Sequence, residues 1–118
     1  MKLQELQTIL HATFVTGPDG WEETEVKAAC GSDLMSDVLA FVKDQGILLT
    51  GLVNPQVIRT AEMMDIKVIV FVRGKVPGEE VVELAKDLDM VILRTENPLY
   101  VACGKLYKEG LPGSREDI

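Results

Sequence analysis

Four short segments hold most of the side chains able to bind or react: Cys30-Gly31-Ser32-Asp33, Thr50-Gly51-Leu52-Val53-Asn54, Arg73-Gly74-Lys75 and Arg94-Thr95-Glu96-Asn97. Together they carry three glycines, two arginines and one lysine among hydroxyl and amide groups. Glycine lets a backbone N–H come close to a ligand, and Arg and Lys give charge-assisted hydrogen bonds to phosphate oxygens. The chemistry that suits these types is anion binding, with a phosphate or the phosphates of a nucleotide as the ligand class. The expected contacts are Gly31, Ser32, Asp33, Thr50, Gly51, Asn54, Arg73, Gly74, Lys75, Arg94, Thr95 and Asn97. Polar, glycine-rich turns also occur in α/β domains that bind nothing, so the signal lies in placement rather than in a motif. Neither G-x-x-x-x-G-K-[ST] nor G-x-G-x-x-G is present.

Other reactive residue types lead less far. Cys30 precedes Gly31 and a helix start, a place where a thiol becomes reactive; a small residue packed at a strand end is the simpler reading. Cys103 falls on the inward stripe of the last helix and reads as core. The single histidine, His11, has no nucleophile among its neighbours, so a Ser-His-Asp or Cys-His arrangement cannot be assembled. The carboxylate pairs Asp33/Asp37 and Glu79/Glu83 have helical spacing, and Asp33 and Glu79 sit where a helix dipole favours negative charge. Glu22, Glu23 and Glu25 around Trp21 read as a solvated acidic segment, and Trp21 either anchors a partner or covers the open end of the core. No catalytic residue, metal site or cofactor is expected, and an enzyme is not expected.

Composition narrows the classes further. The 118 residues include 12 Lys/Arg and 19 Asp/Glu, a formal net charge of −7. That balance argues against a general nucleic-acid binder, which needs a basic surface to release counterions. Two cysteines are too few for a disulfide scaffold or a four-thiolate zinc site, and both are expected as free thiols. The longest apolar run, Val68 to Val72, is a strand length, so no membrane span is expected; the N-terminal residues lack the apolar run of a signal peptide. Cytoplasmic is the expected compartment. A chain this long buries about two-thirds of its extended surface, enough for one core.

The elements that must position the turns are legible in the pattern. Ile47–Thr50, Val68–Val72 and Val91–Leu93 are continuous apolar runs, which suit strands covered on both faces. A turn and then a proline follow each: Pro55, Pro77 and Pro98, spaced 22 and 21 residues apart, the length of a strand-turn-helix unit. Proline fits a first helical turn, and Asn54 and Asn97 precede theirs as helix caps. The helical stripes are Val57-Ile58-Ala61-Met64, Val81-Val82-Ala85-Leu88 and Leu99-Ala102-Cys103-Leu106-Tyr107, the last stopped by Gly110. Ahead of these, Glu25–Cys30 reads as a strand and Leu34–Gln45 as a helix capped by Ser32 or Asp33, with Leu34, Val38, Leu39, Phe41 and Val42 inward. A short helix through Leu3, Leu6, Ile9 and Leu10 and a strand at Ala12–Thr16 open the chain, and Gly17–Gly20 is a turn. The expectation is one α/β domain over residues 1–111, a three-layer α/β/α sandwich on a mostly parallel four- or five-stranded sheet, with 112–118 a flexible tail. Ligands of open parallel sheets bind beyond the carboxyl ends of the strands, where the four segments fall.

From Cys30 to Leu111 the sequence resembles the DRTGG-domain family. The likeness rests on Ser32-Asp33-Leu34-Met35-Ser36-Asp37-Val38-Leu39-Ala40, Thr50-Gly51-Leu52-Val53-Asn54-Pro55, Gly74-Lys75-Val76-Pro77, Leu84-Ala85 and Cys103-Gly104-Lys105-Leu106-Tyr107. It covers about 80 residues. In place of Asp-Arg-Thr-Gly-Gly the chain has Val72-Arg73-Gly74-Lys75. The family occurs alone and within CBS-domain pyrophosphatases and phosphate acetyltransferases, and is similar to the N-terminal domain of HPr kinase/phosphorylase. The resemblance implies a small, often oligomeric, regulatory or ligand-binding module. The phosphate loop of the HPr kinase catalytic domain is missing here, so no kinase activity is implied. The expected function is therefore a non-catalytic module that senses a phosphorylated or nucleotide ligand or docks on a metabolic enzyme. The alternative is an assembly protein without a small ligand, dimerising through exposed apolar residues such as Met63, Met64 and Tyr107.

Overall fold

The apolar runs do become the central strands. In the computed structural model, which describes residues 1–40 and 45–113, the elements are α1 (Leu3–Leu10), β1 (Thr13–Thr16), a 3-10 turn (Trp21–Glu23), β2 (Ala28–Gly31), α2 (Met35–Val38), β3 (Gly46–Thr50), α3 (Pro55–Met63), β4 (Val68–Phe71), α4 (Glu79–Asp87), β5 (Val91–Arg94) and α5 (Leu99–Lys108). The sheet order is β1-β5-β4-β3-β2. Strands β2 to β5 run parallel in simple register, Ile47 opposite Val68 and Val68 opposite Val91, and β1 closes the β5 side antiparallel.

Residues of the central strands alternate between two cores. Ile47, Leu49, Val68, Val70, Val91 and Leu93 pack with α1 and α5, whereas Leu48, Ile69, Phe71 and Ile92 pack with α2, α3 and α4. The sheet grows in one direction from β2 to β5, so right-handed crossovers put the three connecting helices on one face. The result is a three-layer α/β/α sandwich with a mostly parallel sheet. Its surface of 6355 Å² is what a folded chain of this mass exposes, roughly 6,300 Å².

Four helices leave their last turn in the same way. His11, Asp65, Asp89 and Gly110 follow α1, α3, α4 and α5 with positive φ of 51°, 57°, 54° and 101°. The next residue then turns inward, and its N–H donates back across the last turn: Ala12 to Gln7 O, Ile66 to Ala61 O, Met90 to Ala85 O and Leu111 to Leu106 O. This is the Schellman closure, with histidine and aspartate standing where glycine is usual.

Several expected boundaries move. Glu25 and Val26 belong to the N-terminal segment rather than to β2: Lys2 bridges Glu25, and the Val26 N–H donates to Met1 O. Within the expected helix Leu34–Gln45 the described residues form a helix over Met35–Val38; Val38 is buried, but Leu34 and Leu39 are exposed, and residues 41–44, with Phe41 and Val42, lie outside the described residues. Pro77 precedes the Gly78 N-cap of α4 instead of entering its first turn, and Pro98 is itself the N-cap of α5. Tyr107 is 62% exposed, off the inward stripe. Past the expected boundary at residue 111, Pro112 O accepts from the Ala29 N–H at 2.9 Å and Gly113 bridges Ala29, so this stretch lies along the outer edge of β2.

Candidate functional site

The carboxyl ends of β3, β4 and β5 bring their turns together. Val72 N–H donates to Thr50 O and Thr95 N–H to Phe71 O, continuing the ladder one step past the strands. Arg73 and Gly74 follow with φ of 61° and 68°, and Lys75 N–H closes the turn on Val72 O at 3.2 Å. Two consecutive positive φ values in a four-residue turn make it type I′. Its two central N–H groups donate to Asn97 O and Thr95 O, so the β4 turn is bolted to the β5 turn. Gly74 also lacks the side chain that would meet the Glu96 carboxylate.

Beside it lies a small anion seat, formed by three elements. The Gly51 N–H donates to Asp33 Oδ1 at 2.6 Å, and the Thr50 hydroxyl donates to the same oxygen at 3.2 Å. The Arg73 guanidinium stands 3.6 Å from Asp33 Oδ2. That guanidinium fills the space a side chain on Gly51 would take, so glycine is required there for the arginine to lie across the backbone. Asp33 and Arg73 remain 38% and 46% exposed, so the ion pair itself is at a solvent-facing surface.

The remaining residues of the expected site divide. Asn54 caps α3 as expected, its Oδ1 accepting from Val57 N–H at 3.2 Å. Asn97 does not cap α5: its amide donates to Leu10 O and to Thr95 Oγ1, and its Oδ1 accepts from Lys105 Nζ, each at 2.9 Å. Thr95 is buried and donates to Leu10 O at 2.7 Å. Ser32 does not cap α2 either, but closes a local turn with Leu34. Gly31 faces α5, where Cys103 Sγ and Leu99 occupy its missing side chain's place. Arg94 pairs with Glu96 at 3.6 Å, and its Nε is buried with no hydrogen-bond partner among the described residues. Lys75 is exposed at the end of the turn.

The cluster of cations is therefore interleaved with acid: Asp33 for Arg73, and Glu96 for Arg94. Spacing alone did not reveal Leu10 or Lys105 as partners, because both arrive from the α1/α5 layer. Elsewhere, the acidic segment is partly neutralised, Glu23 pairing with Lys2 at 2.8 Å and Glu25 with the Met1 ammonium at 2.7 Å. The hydrogen bond from that ammonium holds the Glu25 carboxyl below its ordinary pKa. Trp21 stacks on Phe14, ring centroids 4.8 Å apart, and packs on the α1/α5 core, which is the covering role.

The thiols are not activated. Burial, followed by the neighbouring Cys103 and Asp37, pushes the Cys30 thiol above its ordinary range, and burial raises Cys103. They lie on opposite faces of the sheet, Cys30 against the α2–α4 core and Cys103 against the α1/α5 core. Cys103 also lines a groove of about 480 Å³ between α5 and the β2 edge, with Tyr100, Gly104 and Tyr107 along the helix. Among the described residues no group of three His, Cys, Asp or Glu is placed to hold a metal ion, and no helix is long and apolar enough to cross a membrane.

No family model matches the sequence, and no curated protein does. Among solved structures, the chain is similar to the CBS and DRTGG domains of the regulatory region of Clostridium perfringens pyrophosphatase, complexed with its activator diadenosine tetraphosphate. The TM-score is 0.75 at 16% identity, over 94% of this chain and 47% of that one. The chain shares the fold of part of that region. This chain spans about half the length of that region, which is regulatory rather than catalytic.

Proposed function

We propose that the protein is a non-catalytic regulatory module of the DRTGG type, binding a phosphorylated or nucleotide ligand at the rim formed by the ends of β3, β4 and β5. The observation that carries this reading is the seat around Asp33: a backbone N–H, a hydroxyl and a guanidinium converge on one anionic group. Those donors are the kinds that recognise phosphate oxygens. Lys75 and Arg94 add charge to the same rim, where Arg94 Nε has no hydrogen-bond partner among the described residues. The solved regulatory region is complexed with a nucleotide activator, which supports a nucleotide as the ligand class. On this reading residues 1–111 form the binding domain, the protein works in the cytoplasm, and its output is passed to a metabolic enzyme.

Titration calorimetry and thermal shift with AMP, ADP, ATP, diadenosine tetraphosphate and inorganic phosphate test the reading. Saturable stabilisation by at least one is expected; at 100 times the dissociation constant it amounts to about 2.7 kcal/mol. Silence toward all of them at millimolar concentration overturns it.

A second reading, self-assembly as a dimer, is favoured by one surface. Tyr100 and Tyr107 are 88% and 62% exposed one heptad apart on α5, either side of Gly104. Light scattering behind size exclusion distinguishes the two readings: a monomer at high concentration removes the dimer.

A further inference from the structure

We propose that Asp33 is an internal stand-in for the ligand's anion, so that a bound phosphate group must displace it. The inference rests on the ligand site proposed above and adds how that site is regulated. The Asp33 carboxylate uses both donors of the β3 end, Gly51 N–H and the Thr50 hydroxyl, and faces Arg73 with its other oxygen. A second anion cannot take the same N–H while Asp33 holds it, and like charges at that distance repel. The carboxylate is also exchangeable in a way its partners are not. Gly51 is buried, and the Arg73 backbone is pinned to Asn97 O; Asp33 is partly exposed in the short link between β2 and α2.

Displacement has a structural output. Among the described residues Asp33 is the side-chain tether of that link to the rest of the rim; its neighbour Ser32 bonds Leu34 through its hydroxyl and Leu49 O through its N–H. Directly after it come Leu34 and Leu39, 58% and 46% exposed at either end of the four-residue α2. Occupancy of the seat by phosphate therefore loosens a segment that already presents apolar side chains, and ligand and tether compete for one set of donors.

The test measures the affinity of inorganic phosphate by calorimetry for the wild-type protein, Asp33→Ala and Asp33→Asn, with Asp37→Asn as a control that removes the same charge outside the seat. Asp33→Ala is expected to bind phosphate about tenfold more tightly, a typical coupling between linked sites. Asp33→Asn gains less, because its amide oxygen still accepts from Gly51, and Asp37→Asn gains nothing. Adding Arg73→Ala to Asp33→Ala abolishes the gain. The proposal falls if Asp33→Ala and Asp33→Asn bind no more tightly than wild type, if Asp37→Asn gains as much, or if the gain survives without Arg73. Cooperative unfolding of each variant shows that it is folded, and Asp33→Asn carries the test if Asp33→Ala is not. The two readings separate: a wild type that binds nucleotides while no Asp33 variant gains keeps the proposed function and removes the stand-in. Variants that gain phosphate binding while nucleotides bind none of the proteins keep the stand-in and remove the nucleotide.

Discussion

The ends of β3 and β5 begin from the same chemistry and finish differently. Each starts with a threonine and runs on to Asn-Pro: Thr50 to Asn54-Pro55, and Thr95 to Asn97-Pro98. Each threonine Oγ1 accepts from the N–H two residues on, at 3.2 Å in both. The difference is what the hydroxyl donates to. Thr50 donates to a partly exposed carboxylate on a short link; Thr95 donates to the carbonyl of Leu10 at the end of a packed helix. A bond to a partly exposed carboxylate can be replaced by one from water, whereas a buried neutral one is costly to leave unmade. The β5 corner is thus a structural bolt, while the β3 corner rests on a bond that solvent can reach.

Thr95→Ala probes this distinction with the largest effect. It should cost about 2 kcal/mol in denaturant unfolding, because the Asn97 N–H and amide lose their acceptor in a buried corner. Thr50→Ala should cost less, about 1 kcal/mol, because water reaches the partly exposed Asp33 carboxylate once the hydroxyl is gone. Equal losses would erase the difference between the corners. Asn54→Ala removes a helix cap and should cost about 1 kcal/mol by the same measurement. A loss within error would mean that the cap is not needed once Pro55 has set the first turn. Arg73→Asn is the smallest in stability: asparagine tolerates the left-handed region, which offsets the lost ion pair, so the change should stay within about 0.5 kcal/mol. Calorimetry on the same variant should show phosphate or nucleotide binding gone, and retained binding would move the site away from Arg73.

Much of the sheet was legible because β3, β4 and β5 are covered on both faces and read as unbroken apolar runs. β2 was legible as a strand but not in its bounds, since it is an edge strand with half-buried alanine and cysteine, and the acidic Glu25 ahead of it pairs with the Met1 ammonium. The two Asn-Pro pairs look alike in sequence, yet only Asn54 caps; Asn97 is drawn away by Leu10 and Lys105, which are 87 and 8 residues distant. The helix ends at Asp65 and Asp89 were invisible for a local reason, an aspartate occupying a position where glycine is the usual signal. The rim residues themselves were nameable, but their pairing was not: that Asp33 reaches Gly51 instead of capping α2 depends on how β2 lies beside β3. The thiols show the same limit. Cys30 next to a helix start suggests reactivity, whereas burial raises its pKa, so less thiolate is present at pH 7. Alkylation should be slower there than in the denatured chain and should catch up only as pH rises past the ordinary thiol range. Equal rates at pH 7 would contradict this.

Four of the left-handed residues end helices, where that conformation is the ordinary way out. Arg73 ends none. A side chain with a Cβ and a long charged arm occupies a turn that asparagine or glycine would fill with less strain, a difference of about 1 kcal/mol. Folding alone would not choose arginine at this position. Among the described residues Gln45 is the other left-handed non-glycine residue that ends no described helix; Arg73 differs in lying across Gly51 toward the Asp33 carboxylate.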